Sequence, residues 1–202
     1  MTKVVGWLQA CANEFDARAE ELDALDRILG DGDHGSNMRR GFAAARTIEF
    51  TEVATTSEAL RQVGMALVSN VGGASGPLFG TFFLRAGANW PSPMTTQSLF
   101  VAVQEGLAGV TARGKAEPGD MTMVDALAPV VDSLQSSAAA GEALADALAR
   151  AAAASQVGRD ATRSMVARRG RAALRAEHSI GVIDPGAVSM SIIVSTAAQH
   201  LG

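Results

Sequence analysis

The 202 residues contain a single cysteine, Cys11. One thiol closes no internal disulfide and fits no zinc spacing, so a disulfide-stapled secreted fold is excluded and a reducing compartment is expected. Tyrosine is absent, and 7 Phe with 2 Trp supply the aromatic mass. That composition speaks of packing, not of a platform for stacked bases. No apolar run reaches the ~18 residues of a membrane span. The Ala-rich stretch near 138–154 is interrupted by Glu142, Asp146 and Arg150 at i, i+4, i+8, the spacing of a polar helix face. The start, MTKVVGWLQACANEFD, meets acidic residues too early for a signal peptide, and a cytoplasmic location is expected. No Lys/Arg block offsets the net charge of −4, which argues against nucleic acid as the partner. An anionic small ligand stays open if a metal supplies the positive charge.

What is present is apolar residue at helical spacing. Hydrophobic residues make up 48% and charged residues only 19%, enough for a core and against disorder. Val4, Leu8, Cys11, Phe15, Ala19, Leu22 and Leu25 predict one helix over 4–27, stopped by Gly30 and Gly32. A second helix is expected from about Ser36 to Thr47, and a third after Ser57 as its N-cap. A fourth follows the break Gly72–Gly76, with Pro77 in its first turn. Further helices are expected over about 96–113, 122–137 and 141–166. The stretch 167–183 reads as irregular and basic, and Asp184-Pro185-Gly186 opens a last helix to about 200. Eight helices, no strand-period alternation, short connections and no repeat or linker predict one all-α domain over 1–202, its helices packed up-and-down and antiparallel.

Three groups of residues have the makings of chemistry. Asp26, Asp31 and Asp33 fall around a turn punctuated by Gly30, Gly32 and Gly35. Gathered together, three carboxylates repel unless a cation sits between them, and such oxygen ligands suit magnesium. Spacing alone leaves the plain reading equally open, since Asp and Gly are ordinary turn and capping residues. The turns at Gly72–Gly80 and Asp184–Gly186 each feed a helix start whose free N–H groups can face an anion. Neither is a Walker loop, because no Gly-Lys-Ser/Thr follows. Arg168, Arg169, Arg171 and Arg175 are either a solvated surface or a phosphate clamp. His34 is expected to be a hydrogen-bonding residue rather than a general base, and no side chain is assigned a catalytic role.

Four ordered blocks then carry a resemblance across nearly the whole chain. They are Leu25-Asp26 with Gly30-Asp31-Gly32-Asp33-His34-Gly35, Asn37 and Gly41-Phe42; Val71 to Phe83, VGGASGPLFGTFF; Gly114 to Asp120, GKAEPGD, with Thr122, Met123 and Asp125; and Arg169-Gly170-Arg171-Ala172, Ser179-Ile180-Gly181 and Asp184-Pro185-Gly186-Ala187. Together they resemble the nucleotide-binding L subunit of dihydroxyacetone kinase, of the phosphotransferase-system-dependent type.

The resemblance implies a barrel of eight antiparallel helices with a nucleotide site at one end. It implies two magnesium ions on Asp26, Asp31 and Asp33, bridging to the phosphates of ADP or ATP. Nucleotide contacts are implied for His34, Gly35, Ser36, Asn37, Ala74, Ser75, Gly114, Met123, Arg171, Asp184, Pro185 and Gly186. The ketose is expected on a separate K subunit, with bound ADP rephosphorylated by a phosphotransferase-system M subunit. A transcription regulator is the partner expected if the chain serves as a nucleotide-dependent regulatory module. Other readings are the nucleotide-binding subunit of a two-chain ATP-dependent kinase for another small ketose or sugar, a nucleotide-dependent regulatory module, and a nucleotide-free helical scaffold. Two positions depart from the pattern. Met121 stands where many relatives have Lys, and His178 after Glu177 where many have Arg.

Overall fold

The structure, a computed structural model, describes residues 1–88 and 90–202. Among them it contains nine α-helices and no strand: α1 (Thr2–Ala17), α2 (Ala19–Leu29), α3 (His34–Arg46), α4 (Thr56–Asn70), α5 (Ser75–Ala88), α6 (Thr96–Gly114), α7 (Met123–Ala139), α8 (Leu144–Ala161) and α9 (Pro185–Leu201). Each helix from α3 to α8 packs on its successor in the chain, and the ring closes where α9 meets α1 and α2, both of which also pack on α3. The helix expected over 4–27 is therefore two helices sharing one wall. They break at Arg18, which is both the C-cap of α1 and the N-cap of α2, at φ −109, ψ 11. With that wall counted once, the barrel has the eight sides expected of it.

The helix boundaries follow from local chemistry. Thr55, in extended conformation, accepts the Glu58 N–H at 3.1 Å and so caps α4 in place of Ser57, which already lies inside the helix. Reciprocal capping boxes start α6 (Thr95 with Ser98) and α7 (Thr122 with Asp125). Asp184 accepts the Ala187 N–H at 2.7 Å, and Pro185 takes the first helical position of α9. The helix expected to reach 166 stops at Ala161 and tightens into a 3₁₀ turn, Thr162–Ser164. The irregular basic stretch carries a second 3₁₀ segment, Ala172–His178, kinked at Arg175.

Aromatic rings fill the barrel. Trp7 stacks on Trp90 and tilts against Phe83, which meets Phe42 edge-on, and Phe42 stacks on Phe15 at 4.6 Å. The Trp7 indole N–H donates to the Ile193 carbonyl at 3.0 Å, so burial leaves no donor unpaired there. Each fully buried Phe contributes ~2–3 kcal/mol from area removed from water. Cys11 lies in this core beside the Thr196 hydroxyl, and burial pushes its thiol up to about 12, which makes it inert packing.

Candidate functional site

In an up-and-down barrel, alternate helices start at the same end. Here α3, α5, α7 and α9 all begin around one cavity of about 420 Å³, which His34, Ser75, Met123 and Pro185 reach from their respective helices. The first-turn N–H groups of a helix have no intrahelical partner, and its N-terminus carries partial positive charge. Side chains cap several of these donors, Asp26 and Asp23 at α3, Thr122 at α7 and Asp184 at α9, and the four helix dipoles still favour anions at this end of the barrel without any cluster of lysines.

Set against that field is a knot of negative charge. Asp26, in the last turns of α2, and Asp31 and Asp33, in the turn to α3, each bring one carboxylate oxygen to within 4.8 Å of the others. Gly32 makes this possible at φ 77, a left-handed conformation that glycine adopts without steric cost and that reverses the chain in one residue. Asp26 organises the turn. Its Oδ2 accepts the N–H groups of Gly32 (2.9 Å), Asp33 (3.0 Å) and His34 (3.3 Å). Asp31 pairs with the Arg171 guanidinium, which reaches over from the irregular stretch. A half-exposed set of three converging carboxylates fits a hard divalent cation that keeps room for phosphate oxygens.

Of the residues implicated by the sequence, Asp26, Asp31, Asp33, His34, Asn37, Ala74, Ser75, Gly114, Met123, Arg171, Asp184, Pro185 and Gly186 all line this cavity. Gly35 and Ser36 are not among its lining residues. Gly35 faces α2, where a Cβ would stand 2.0 Å from the Ala19 carbonyl oxygen, so it sets the close approach of two helices. Ser36 turns to Asp23, which accepts both its N–H (2.9 Å) and its hydroxyl (2.6 Å). Asp23 thus anchors the first turn of α3, a role the sequence reading missed. Its position three residues before Asp26, one helical turn away, was the available signal.

His34 is buried, and its two ring nitrogens are both engaged, Nε2 with the Ser189 hydroxyl at 2.8 Å and Nδ1 with the Ser75 hydroxyl at 3.2 Å. Burial lowers its pKa, against the upward pull of Asp26, Asp23 and Asp33. With both nitrogens committed, the ring ties α3 to α5 and α9. Asp184 behaves in the opposite sense. Burial raises its carboxyl to about 7, opposed by the Ala187 N–H bond and reinforced by the charges of Asp125 and Asp26.

Two nearby acidic residues, Asp125 and Asp120, are committed to structure. Asp125 accepts the N–H groups of Gly119 (2.5 Å) and Thr122 (2.7 Å). Asp120 accepts the Glu117 N–H at 3.0 Å and Arg169 Nε at 3.0 Å, which together hold its carboxyl below the usual range. Three of the four arginines of the basic stretch find separate partners: Arg169 is tied to Asp120, Arg171 to Asp31, and Arg175 reaches the Arg27 carbonyl at 3.5 Å. The deeper wall is apolar, with Leu29, Leu78, Phe79, Val110, Ala116 and Met121. Met121 is buried at φ 61 and packs with Leu29 and Ala167, so this departure from the family pattern adds apolar surface to the cavity. The other departure, His178, lies on the exposed surface beside Glu177.

A closed helical barrel, with converging helix N-termini and three gathered carboxylates at one end, has the chemistry to suit a polyanion together with a divalent cation. The chain belongs to the DAK2 domain family, whose match spans residues 28–199. It is 42% identical over 202 residues to the protein named PEP-dependent dihydroxyacetone kinase, ADP-binding subunit DhaL, of Escherichia coli (strain K12), covering 98% of this chain and 95% of that one. It is 35% identical over 196 residues to the PTS-dependent dihydroxyacetone kinase, ADP-binding subunit DhaL, of Lactococcus lactis subsp. lactis (strain IL1403), covering 96% and 95%. Among solved structures it is similar to the dihydroxyacetone kinase of C. freundii in complex with AMP-PNP and Mg2+, with a TM-score of 0.74 and 25% identity, covering 98% of this chain and 34% of that one.

Proposed function

We propose that this chain is the ADP- and magnesium-binding subunit of a dihydroxyacetone kinase. It holds the nucleotide and presents a phosphoryl group to a ketose carried on a separate K subunit. A phosphotransferase-system M subunit then restores the phosphoryl group on the bound nucleotide. The observation that carries this reading is the meeting, in one cavity, of three carboxylates within 4.8 Å of one another and four helix N-termini. The names of the relatives, which match over nearly their full length, favour ADP as the resident nucleotide and a phosphoenolpyruvate-driven system as the donor.

Phosphoryl transfer demands positioning and charge neutralisation more than a protein nucleophile. Asp26, Asp31 and Asp33 are the residues to hold magnesium, two ions in the family arrangement. Magnesium held by these carboxylates would supply positive charge to offset that of the transferring phosphoryl group. The backbone N–H groups that open α5, from Ser75 onward, are the ones to meet the phosphates, while the first-turn donors of α9 are capped by Asp184. Arg171 offers a forked donor for the same oxygens. The apolar wall of Leu29, Leu78 and Val110 receives the base and excludes water from that side. His34 holds three helix starts in register, and no side chain of this chain acts as acid or base. The ketose-activating groups are assigned to the partner.

The reading has a direct chemical test. The protein purified without added nucleotide, then denatured and filtered, is expected to release ADP at close to one equivalent, measured by ion-exchange chromatography. Absence of nucleotide in the filtrate, together with no thermal shift on adding Mg-ADP, contradicts a coenzyme role.

A further inference from the structure

Residues 163–181 form a loop closed on itself. Gly181 N–H donates to the Arg163 carbonyl at 2.7 Å, and the Ala167 N–H to the Ser179 hydroxyl at 3.0 Å. The loop is fastened to the barrel by the buried trio Leu29, Met121 and Ala167, and by the Arg168 N–H on the Asp120 carbonyl at 3.1 Å. Two arginines extend from it to two different carboxylates. Arg169 pairs with Asp120, whose side chain is only 9% exposed and is held by the Glu117 N–H as well. Arg171 pairs with Asp31, where the side chains are 58% and 39% exposed. The first pair is set in place. The second is a solvent-screened pair of the kind that contributes little, and its acceptor belongs to the three-carboxylate cluster.

Two cations have a claim on Asp31, the guanidinium and a divalent ion. Both draw on the same carboxylate charge, and they repel one another. We propose that Arg171 is a displaceable counter-ion: a divalent ion binding at Asp26, Asp31 and Asp33 releases it from Asp31, and it then turns within the cavity it already lines to meet the nucleotide phosphate. Cation and nucleotide are thereby coupled through one side chain. The cation frees the donor that the phosphate uses, and the phosphate draws off the competitor that the cation displaces. Such coupling is reciprocal by thermodynamic necessity. The inference rests on the metal site proposed above. It adds that Arg171 opposes the ion when nucleotide is absent and supports the pair when nucleotide is present.

The test is Mn²⁺ binding to the full chain, followed by electron paramagnetic resonance with and without ADP, in wild type, Arg171→Gln and Arg171→Lys. Arg171→Gln is expected to bind Mn²⁺ alone about two- to fivefold more tightly, the range set by breaking an exposed ion pair. The same variant is expected to bind Mn²⁺ with ADP more weakly than wild type, and Arg171→Lys to fall between the two on both measures. A merely structural role for Arg171 weakens both bindings together. Unchanged or weaker Mn²⁺ binding by Arg171→Gln in the absence of ADP overturns the exchange while leaving the metal site standing. Failure of the wild type to take up Mn²⁺ even with ADP overturns the metal site, and the exchange with it.

Discussion

At the scale of single residues, the site contains two buried ionisable groups that burial pushes toward neutrality. His34 has its pKa lowered by burial and both nitrogens bonded, to Ser189 and Ser75. His34→Phe leaves those two hydroxyls without their partner and is expected to cost about 1–3 kcal/mol, read as a lower midpoint in urea with an unchanged slope. A midpoint equal to wild type shows that the two bonds do not hold the helix starts. Asp184 rises to about 7 in the fold, above its unfolded value near 4. The folded protein therefore binds a proton that the unfolded chain has already lost, and stability falls as pH rises from about 4 through about 7. Asp184→Asn, which keeps a capping oxygen, removes that slope. In EDTA, its stability relative to wild type is expected to increase between pH 5 and pH 8, on the order of 1 kcal/mol per pH unit at most. A constant difference across that range shows that Asp184 is not carrying the proton. The Gly-rich turn marked Asp31 and Asp33 beside Asp26 as a candidate cluster, but spacing alone left turn and capping roles equally open, and folding is what brings the three together. The orientation of Ser36 and Gly35 was not legible in the sequence, because it depends on which face of α3 meets α2.

At the scale of elements, the helices were readable from apolar spacing, and so was the Asp184-Pro185 start of α9, while several other ends were not. Val4 through Leu25 keep one periodicity across Arg18 because α1 and α2 lie in the same wall and present the same face to the core, so the break leaves no mark on the pattern. At the start of α4, both Thr55 and Ser57 have the chemistry of a cap, and only the extended backbone at Thr55 selects it. Thr55→Ala is expected to lower stability by about 1 kcal/mol, while Ser57→Ala changes it by less than ~0.5 kcal/mol, as surface substitutions do. Thermal melts of the two variants side by side decide the assignment, and the reverse order of effects refutes it. The closed loop over 163–181 escaped the sequence because its order comes from a distant trio, Leu29, Met121 and Ala167, and from Asp120. Charge pattern alone made its arginines one cluster, whereas folding divides them between separate acceptors.

At the scale of the whole molecule, the function follows from parity. A closed ring of helices running alternately up and down brings every second N-terminus to one end, and the only further requirement is a turn that gathers acidic residues there. The aromatic interior keeps the ring closed, and the site needs no loop longer than those that join the helices, apart from the closed loop over 163–181. The central claim is that the carboxylates of α2 and its following turn hold the cation through which nucleotide binds. Isothermal titration of ADP into nucleotide-stripped protein, with and without magnesium, for wild type and Asp31→Asn, tests it most directly. The account predicts that wild-type affinity rises at least about tenfold with magnesium, the scale on which metal-site residues act, and that Asp31→Asn loses this gain while its far-ultraviolet circular dichroism stays that of the helical barrel. Equal magnesium-dependent ADP affinity in the two proteins would contradict it.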